Sequence, residues 1–384
     1  MTTRTLDLAN VISSDTTFAG DKTFTGDIIP SSPLSHRNLI INGAMQVSQR
    51  TTSATDVNGS SGYFTVDRWK HWEATDGIYQ SSQYSMSNAD QNTTGHSKAL
   101  KLNVKSGNSD SSLGSTQYAF VGTLIEAQDL QHLRYGTANA KTITLSFWIK
   151  SSKTGTYNLS INKFDSTATR IAMEYTINSA NTWEQKTITI TPTEGSTSLI
   201  TSSAGAIAND NGIGMEIIWI LSVGSTYSGA TANTWTTNQN HIGTSNQVNW
   251  MDSDSNDLYI TGVQLELGDN ATPFEHRSYG DELSKCQRYF ETGLAGASGG
   301  LSNGSGYTGG HVWYKTTKRT QATLTQSNQS YNNVYDYGGG GPDIFLGQNG
   351  GGNAINDIHG FIFNATNAGS AVSYKFTYTA NSEL

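Results

Sequence analysis

The sequence runs to 384 residues with a formal net charge of −8; 14% of residues are charged, 35% hydrophobic and 10% aromatic, with 40 glycines against 5 prolines. Abundant rings with few charges exclude a disordered chain, and a composition poor in the usual helix formers excludes a helical bundle or coiled coil. The acidic balance excludes nucleic acid as a main partner, since phosphate contacts need clustered Lys and Arg. What the composition leaves is an all-β protein.

Residues 1–37 form the first segment, in which Thr17-Phe-Ala-Gly-Asp21 is echoed by Thr23-Phe-Thr-Gly-Asp27. So short a stretch cannot bury Phe18 and Phe24 by itself. Two readings follow: oligomerisation or attachment through stacking against other copies, or a flexible leader. Met1 to Asp7 has no apolar core of a secretory signal, so synthesis in a cytoplasm without general secretion is expected. Pro30 and Pro33, among serines, mark a linker.

From Asn38 to Ser278 the period-two pattern is strong. Leu100, Leu102 and Val104 alternate with polar residues, as do Ile143, Leu145, Phe147 and Ile149, and Ile213, Met215, Ile217, Trp219 and Leu221. Leu258 and Ile260 change phase relative to Val263, Leu265 and Leu267, which predicts a β-bulge at Gly262. Repeated short strands separated by Gly, Asn, Ser and Asp clusters predict a jelly-roll β-sandwich over 38–278. Leu124–Arg134 is read as a helical turn or two on its edge. Residues 279–384 are expected to form a short helix over Asp281–Phe290 and a second, smaller C-terminal β domain, with strands near Val312–Thr316, Ala322–Thr325, Ile358–Phe363 and Val372–Tyr378. Lys315, Lys318 and Arg319 are read as a solvated strand edge. Ile217–Leu221, the longest apolar run, is too short to span a bilayer, and the lone Cys286 excludes an intramolecular disulfide.

Several blocks carry a resemblance. Asn38-Leu-Ile-Ile-Asn-Gly-Ala-Met-Gln-Val-Ser-Gln-Arg50 with Val66-Asp-Arg-Trp69, Thr142-Ile-Thr-Leu-Ser-Phe-Trp-Ile-Lys-Ser151, Val263-Gln-Leu-Glu-Leu-Gly268, Pro273-Phe-Glu-His-Arg277, Glu282-Leu-Ser-Lys-Cys-Gln-Arg-Tyr-Phe-Glu291 and Tyr374-Lys-Phe-Thr-Tyr-Thr-Ala380 resemble blocks of bacteriophage tail fibre and minor virion structural proteins. That resemblance implies a carbohydrate-binding-module-like jelly roll and a place in the virion. It also implies partners among other phage tail or virion proteins and a host cell-surface glycan, which it supports by analogy of architecture alone.

Flat rings stack on sugar faces, so the tryptophans were the first candidates. Trp148 is out of phase with its strand's apolar residues, and Trp235 and Trp250 lie in an aperiodic polar stretch, Gly224–Asn256. Each is either a ligand platform or packed under a loop or at a subunit interface. Trp69 and Trp219 read as core. Asp252-Ser-Asp-Ser-Asn-Asp257 alternates oxygen ligands but has Asp257 and Val263 where a calcium loop needs Gly and Glu, so a polar turn is favoured. The scattered histidines give no metal-ligand spacing, and no cofactor motif is present. Glu73, Asp76, Glu126, Asp129, Glu174 and Glu216 are candidate carboxylates. Nothing in their spacing predicts the two carboxyls about 5 Å or about 6.5–9.5 Å apart that glycosidases use, and no Gly-x-Ser-x-Gly elbow is present. The expectation is a non-enzymatic, homotrimeric tail fibre or receptor-binding protein. A structural virion component and a polysaccharide depolymerase are the alternatives.

Overall fold

The computed structural model describes residues 36–299, 307–333, 344–346, 356–366 and 372–384; Phe18 and Phe24 lie outside them. Ser35–Leu384 form one compact unit. Within it, two antiparallel six-stranded sheets make a β-sandwich, as the period-two pattern predicts.

The first sheet runs β1 (Thr55–Val57), β4 (Tyr79–Ser85), β5 (Lys98–Val104), β12 (Asp257–Leu267), β7 (Ile143–Ser151), β10 (Glu184–Ile190). The second runs β2 (Ser61–Tyr63), β3 (Lys70–Glu73), β6 (Tyr118–Glu126), β11 (Ile213–Val223), β8 (Gly155–Lys163), β9 (Thr169–Ile177). Their facing residues meet in one core. Leu100, Leu102, Ile143, Leu145, Phe147 and Ile149 from one sheet, and Leu159, Ile161, Met215, Ile217, Trp219 and Leu221 from the other, belong to it. Trp69 completes it, its ring centroid 5.4 Å from that of Trp219. The bulge is where the phase change placed it: the β12–β7 register shifts between Thr261 and Gln264, and Gly262 sits at φ +61°. That conformation costs glycine nothing.

Three helical pieces depart from expectation. Leu124–Glu126 belong to β6, and a 3-10 run follows over Ala127–Leu133. Helix α1 (Asn88–Thr94) carries no apolar periodicity; Ser87 caps it by accepting the Asp90 N–H at 3.2 Å, and Gly95 ends it at φ 78°. Helix α2 (Tyr279–Gln287), capped by Ser278, ends before Phe290, which already starts a strand.

The C-terminal unit holds two three-stranded sheets, β13 (Phe290–Gly299), β18 (Val372–Asn381), β15 (Thr323–Asn333) and β14 (Tyr307–Trp313), β17 (Gly360–Thr366), β16 (Ile344–Leu346), in those orders. Phe361, Phe363, Phe376 and Tyr378 fill the space between them. Among the described residues no helix is long and apolar enough to cross a membrane.

The joint between the two sandwiches is polar and buried. Glu383 pairs with Arg68 and, at 3.2 Å, with Arg50. The Arg68 guanidinium lies 3.5 Å from the Tyr289 ring centroid and that of Arg50 lies 3.7 Å from Phe290. Arg288 holds Glu126 through two bonds of 2.8 Å. The Lys315–Arg319 stretch is corrected in part: Lys315 is exposed as expected, but Lys318 and Arg319 do not lie on a solvated edge. Lys318 is fully buried against Glu291 at 2.8 Å, whose other oxygen accepts the Tyr378 hydroxyl, and Arg319 donates to the Ser382 and Glu383 carbonyls. Lys318 is held by Gln287 and Glu291, before and on β13, and Arg319 by carbonyls that follow β18.

Candidate functional site

The three tryptophans have different fates. Trp235 and Trp250 are corrected as ligand platforms: they are 1% and 0% exposed and part of the main core. Their loop lacks periodicity because it wraps the sandwich instead of running along it, and each indole N–H finds a carbonyl, Thr191 at 3.0 Å and Asp257 at 3.4 Å. Trp148 is half-buried on the outer face of the first sheet, as its phase predicted. It packs with Tyr84 against Met86, Ala99, Trp183 and Tyr259.

That outer face is partly closed by α1. Asp90 accepts the Trp183 indole N–H at 2.7 Å and faces Lys150 at 3.5 Å. Lys150 Nζ in turn lies 4.6 Å from the Tyr259 ring centroid and 5.0 Å from that of Trp183. Burial opposes the charge on Asp90, but the hydrogen bonds from Ser87 and Trp183 and the nearby Lys150 hold its carboxyl below the usual range. Trp183 and Tyr259 therefore serve as packing beneath the helix.

On the other side of α1 the surface opens into a cleft of about 450 Å³, within the range of small-molecule sites. Gln91 and Asn92 of α1 line it, together with Gln46, Ser97, Phe274, His276, Arg277, Tyr279 and Glu282. Three rings cluster there: Phe274 is 4.7 Å from His96 and 5.0 Å from His276, and the two imidazoles are 5.5 Å apart. Burial, with His276 beside it, pushes the His96 pKa down to about 4, so this ring is neutral near pH 7. Tyr279 is 59% exposed. The bulge fixes the arrangement: a Cβ on Gly262 would lie 2.4 Å from His96 Nε2 and 3.1 Å from Trp148 Cδ1, so both rings lean on that glycine. Trp148 thus adjoins the ring cluster without lining the cleft.

Arg277 and Glu282 are committed to architecture. Arg277 donates to the carbonyls of Asn38 and Ile40 and pairs with Glu275 at 3.2 Å, while Glu282 accepts the Asn42 N–H. Gln46 donates to Ser97 Oγ at 3.1 Å and Gln91 to the Met86 carbonyl at 2.8 Å, and Phe274 and Tyr279 bring ring faces to the cleft. The lining thus sets ring faces beside polar side chains.

Four of the candidate carboxylates are engaged by neighbouring side chains, while burial and the nearby Glu126 raise the pKa of Asp129. Glu216 sits on the outer face of the second sheet, covered by the Gly224–Asn249 loop and paired with Arg170 at 3.3 Å; burial outweighs Arg170 and Lys70 and raises its pKa. Glu126 is held by Arg288, Glu73 accepts from Thr75, and Glu174 accepts from Thr244 and Asn246. In the Asp252–Asp257 turn, Asp252 pairs with Lys153, Asp254 accepts the Ser109 N–H at 3.0 Å, and Asp257 accepts the Tyr259 hydroxyl at 3.2 Å. Among the described residues no three His, Cys, Asp or Glu side chains are grouped to hold a metal.

No protein-family model matches the chain, and no curated protein does. Solved structures similar to it include the enzymatically active domain of bacteriophage CBA120 tailspike protein 4, at 14% identity and a TM-score of 0.31, over 60% of this chain but only 21% of that one. A family 11 carbohydrate-binding module of a Clostridium thermocellum cellulosomal cellulase aligns over 58% of this chain and 99% of its own, at 11% identity and a TM-score of 0.26. The N-terminal cellulose-binding domain of Cellulomonas fimi β-1,4-glucanase C aligns over 53% and 90%, at 14% and 0.25. At these values the architecture is read from the chain's own strand order.

Proposed function

We propose that this chain is a non-enzymatic, glycan-contacting protein of a bacteriophage virion, a tail fibre or receptor-binding component that meets the host surface through the α1 cleft. The observation that carries the reading is the cleft itself, lined by Phe274 and Tyr279 together with Gln46, Gln91 and Asn92. Rings with few rotatable bonds stack on a sugar at low entropic cost, and amides adapt to its hydroxyls. The engaged carboxylates, and the sequence blocks that resemble those of virion proteins, support the remainder. A single contact of this kind is weak, and a homotrimer multiplies it by on the order of 10²–10⁴ through tethering.

The test is adsorption of the purified full chain to host cells with surface polysaccharide intact or stripped. Adsorption that is lost on stripping, and weakened about tenfold, roughly 1.4 kcal/mol, by Phe274→Ala or Tyr279→Ala, is expected. No adsorption in either state would instead favour a structural virion role. Shortened polysaccharide after incubation would favour a depolymerase. Light scattering that returned a monomer would remove the trimer.

A further inference from the structure

The most exposed large apolar side chain of the described residues lies in the other sandwich. Trp313, on β14, is 72% exposed. Its strand explains why. Val312 and Tyr314 point inward to the C-terminal core, while His311 and Trp313 point out. Directly across the ladder from Trp313 stands Gly360, which has no side chain to lay over the indole. The His311 ring stands edge-on to it, with centroids 4.0 Å apart.

The turn leading into β17 places hydrogen-bonding groups beside this ring. Tyr314 donates its N–H to the His359 carbonyl at 2.8 Å, which pins the turn to the end of β14. Asp357 Oδ1 accepts the N–H groups of His359 and Gly360 at 2.7 and 3.0 Å. Those bonds, with His359 and His311 nearby, lower its pKa, so the carboxylate of this exposed residue is ionised at neutral pH. His311 and His359, distant in sequence, flank the same carboxylate. A metal is the obvious alternative, but these groups are not arranged to hold one. A protein partner would call for a broader apolar patch than one indole with the 38% exposed Ile358 at its edge.

We infer that the outer face of β14 carries a second sugar-contact site, in which the Trp313 indole stacks on the apolar face of a pyranose and Asp357, His311 and His359 hydrogen-bond its hydroxyls. The site deepens the glycan reading and rests on it for the source of the sugar. It makes each chain bivalent, with one contact in each sandwich.

The test follows the Trp313 indole N–H signal of the full chain by NMR, assigned by its loss in Trp313→Phe. The probes are the methyl pyranosides of glucose, galactose, mannose and N-acetylglucosamine, with open-chain sorbitol as control. A saturable shift with at least one pyranoside, half-complete on the order of 1–10 mM, the range of a single weak contact, and no shift with sorbitol is expected. Asp357→Asn should weaken it at least threefold. No shift with any pyranoside, or an equal shift with sorbitol, overturns the inference. The two sites fail separately. A silent Trp313 beside adsorption that Phe274→Ala abolishes removes only the β14 site. A responsive Trp313 beside adsorption indifferent to Phe274→Ala removes only the cleft.

Discussion

Replacing Glu383 by Gln tests the joint between the sandwiches. Arg68 is 1% exposed and has three anchors: the Glu383 carboxylate, the Leu124 carbonyl at 2.6 Å, and the Tyr289 ring face. Its Nε has no partner among the described residues. A guanidinium cannot escape by losing its proton, and although burial works against its charge, Glu383 and the nearby tyrosines raise the Arg68 pKa further. Glu383→Gln keeps the shape and removes the charge, leaving a desolvated cation with one neutral oxygen in place of a carboxylate. Breaking a buried pair on one side costs about 3–5 kcal/mol. Arg50, 11% exposed, shares the same carboxylate but also has Asp67 at 3.6 Å, so it adds little. A loss of about 3 kcal/mol is therefore expected in urea unfolding followed by tryptophan fluorescence. The double variant Arg68→Met/Glu383→Leu, with no charge left to strand, should recover most of it. A loss under about 0.5 kcal/mol for Glu383→Gln, within ordinary surface scatter, would refute the claim that Arg68 depends on this carboxylate.

Other outcomes are equally specific. His71 is fully buried between Tyr79 and Ser81, and burial lowers its pKa to about 3. With the folded values of His71 and His96 below the unfolded value near 6.5, the unfolded state binds more protons, and stability falls as pH drops from about 6.5, by up to about 1.4 kcal/mol per pH unit for each ring. An NMR midpoint for His71 above about 5.5 would contradict this. Trp235→Ala and Trp250→Ala should each cost about 3–5 kcal/mol as core cavities, whereas Trp148→Ala costs clearly less; equal melting-temperature losses for all three would contradict the assigned burial. Gly262→Ala forces a left-handed backbone on alanine and a Cβ into His96, so a loss of at least about 1–3 kcal/mol and a perturbed His96 resonance are expected. An unchanged melt and spectrum would argue against the bulge geometry.

The sandwich was legible because its strands alternate cleanly. Ile143, Leu145, Phe147 and Ile149 declared one face, and the phase slip around Gly262 declared the bulge. Where side chains serve loops the signal vanished: Trp235 and Trp250 lie in a polar stretch whose apolar residues are buried by wrapping, which leaves no period to read. Helix α1 was missed because Asn-Ala-Asp-Gln-Asn-Thr-Thr has no apolar stripe, and only the Ser87 cap announced it. The cleft draws on residues near 46, 91–97 and 274–282, which only the folded sheet brings together. Trp313 lies inside the expected Val312–Thr316 strand, but its exposure follows from a glycine almost fifty positions away, which only the folded ladder sets opposite it. The motif residues Asn38, Asn42, Arg68, Trp69 and Arg277 stood out in the sequence, but the structure gives them joinery: Asn42 bonds Val47 and Asp67, and its carbonyl accepts the Trp69 indole N–H.

Phe290 and Asn381 are ladder partners at the start of β13 and the end of β18, so the polypeptide enters and leaves the C-terminal unit through one doorway. A module hung by both of its ends from a single threshold is free to vary at its far tip, in loop length and in surface chemistry, without disturbing the sandwich that carries it. This doorway is a natural point for exchanging one such module for another.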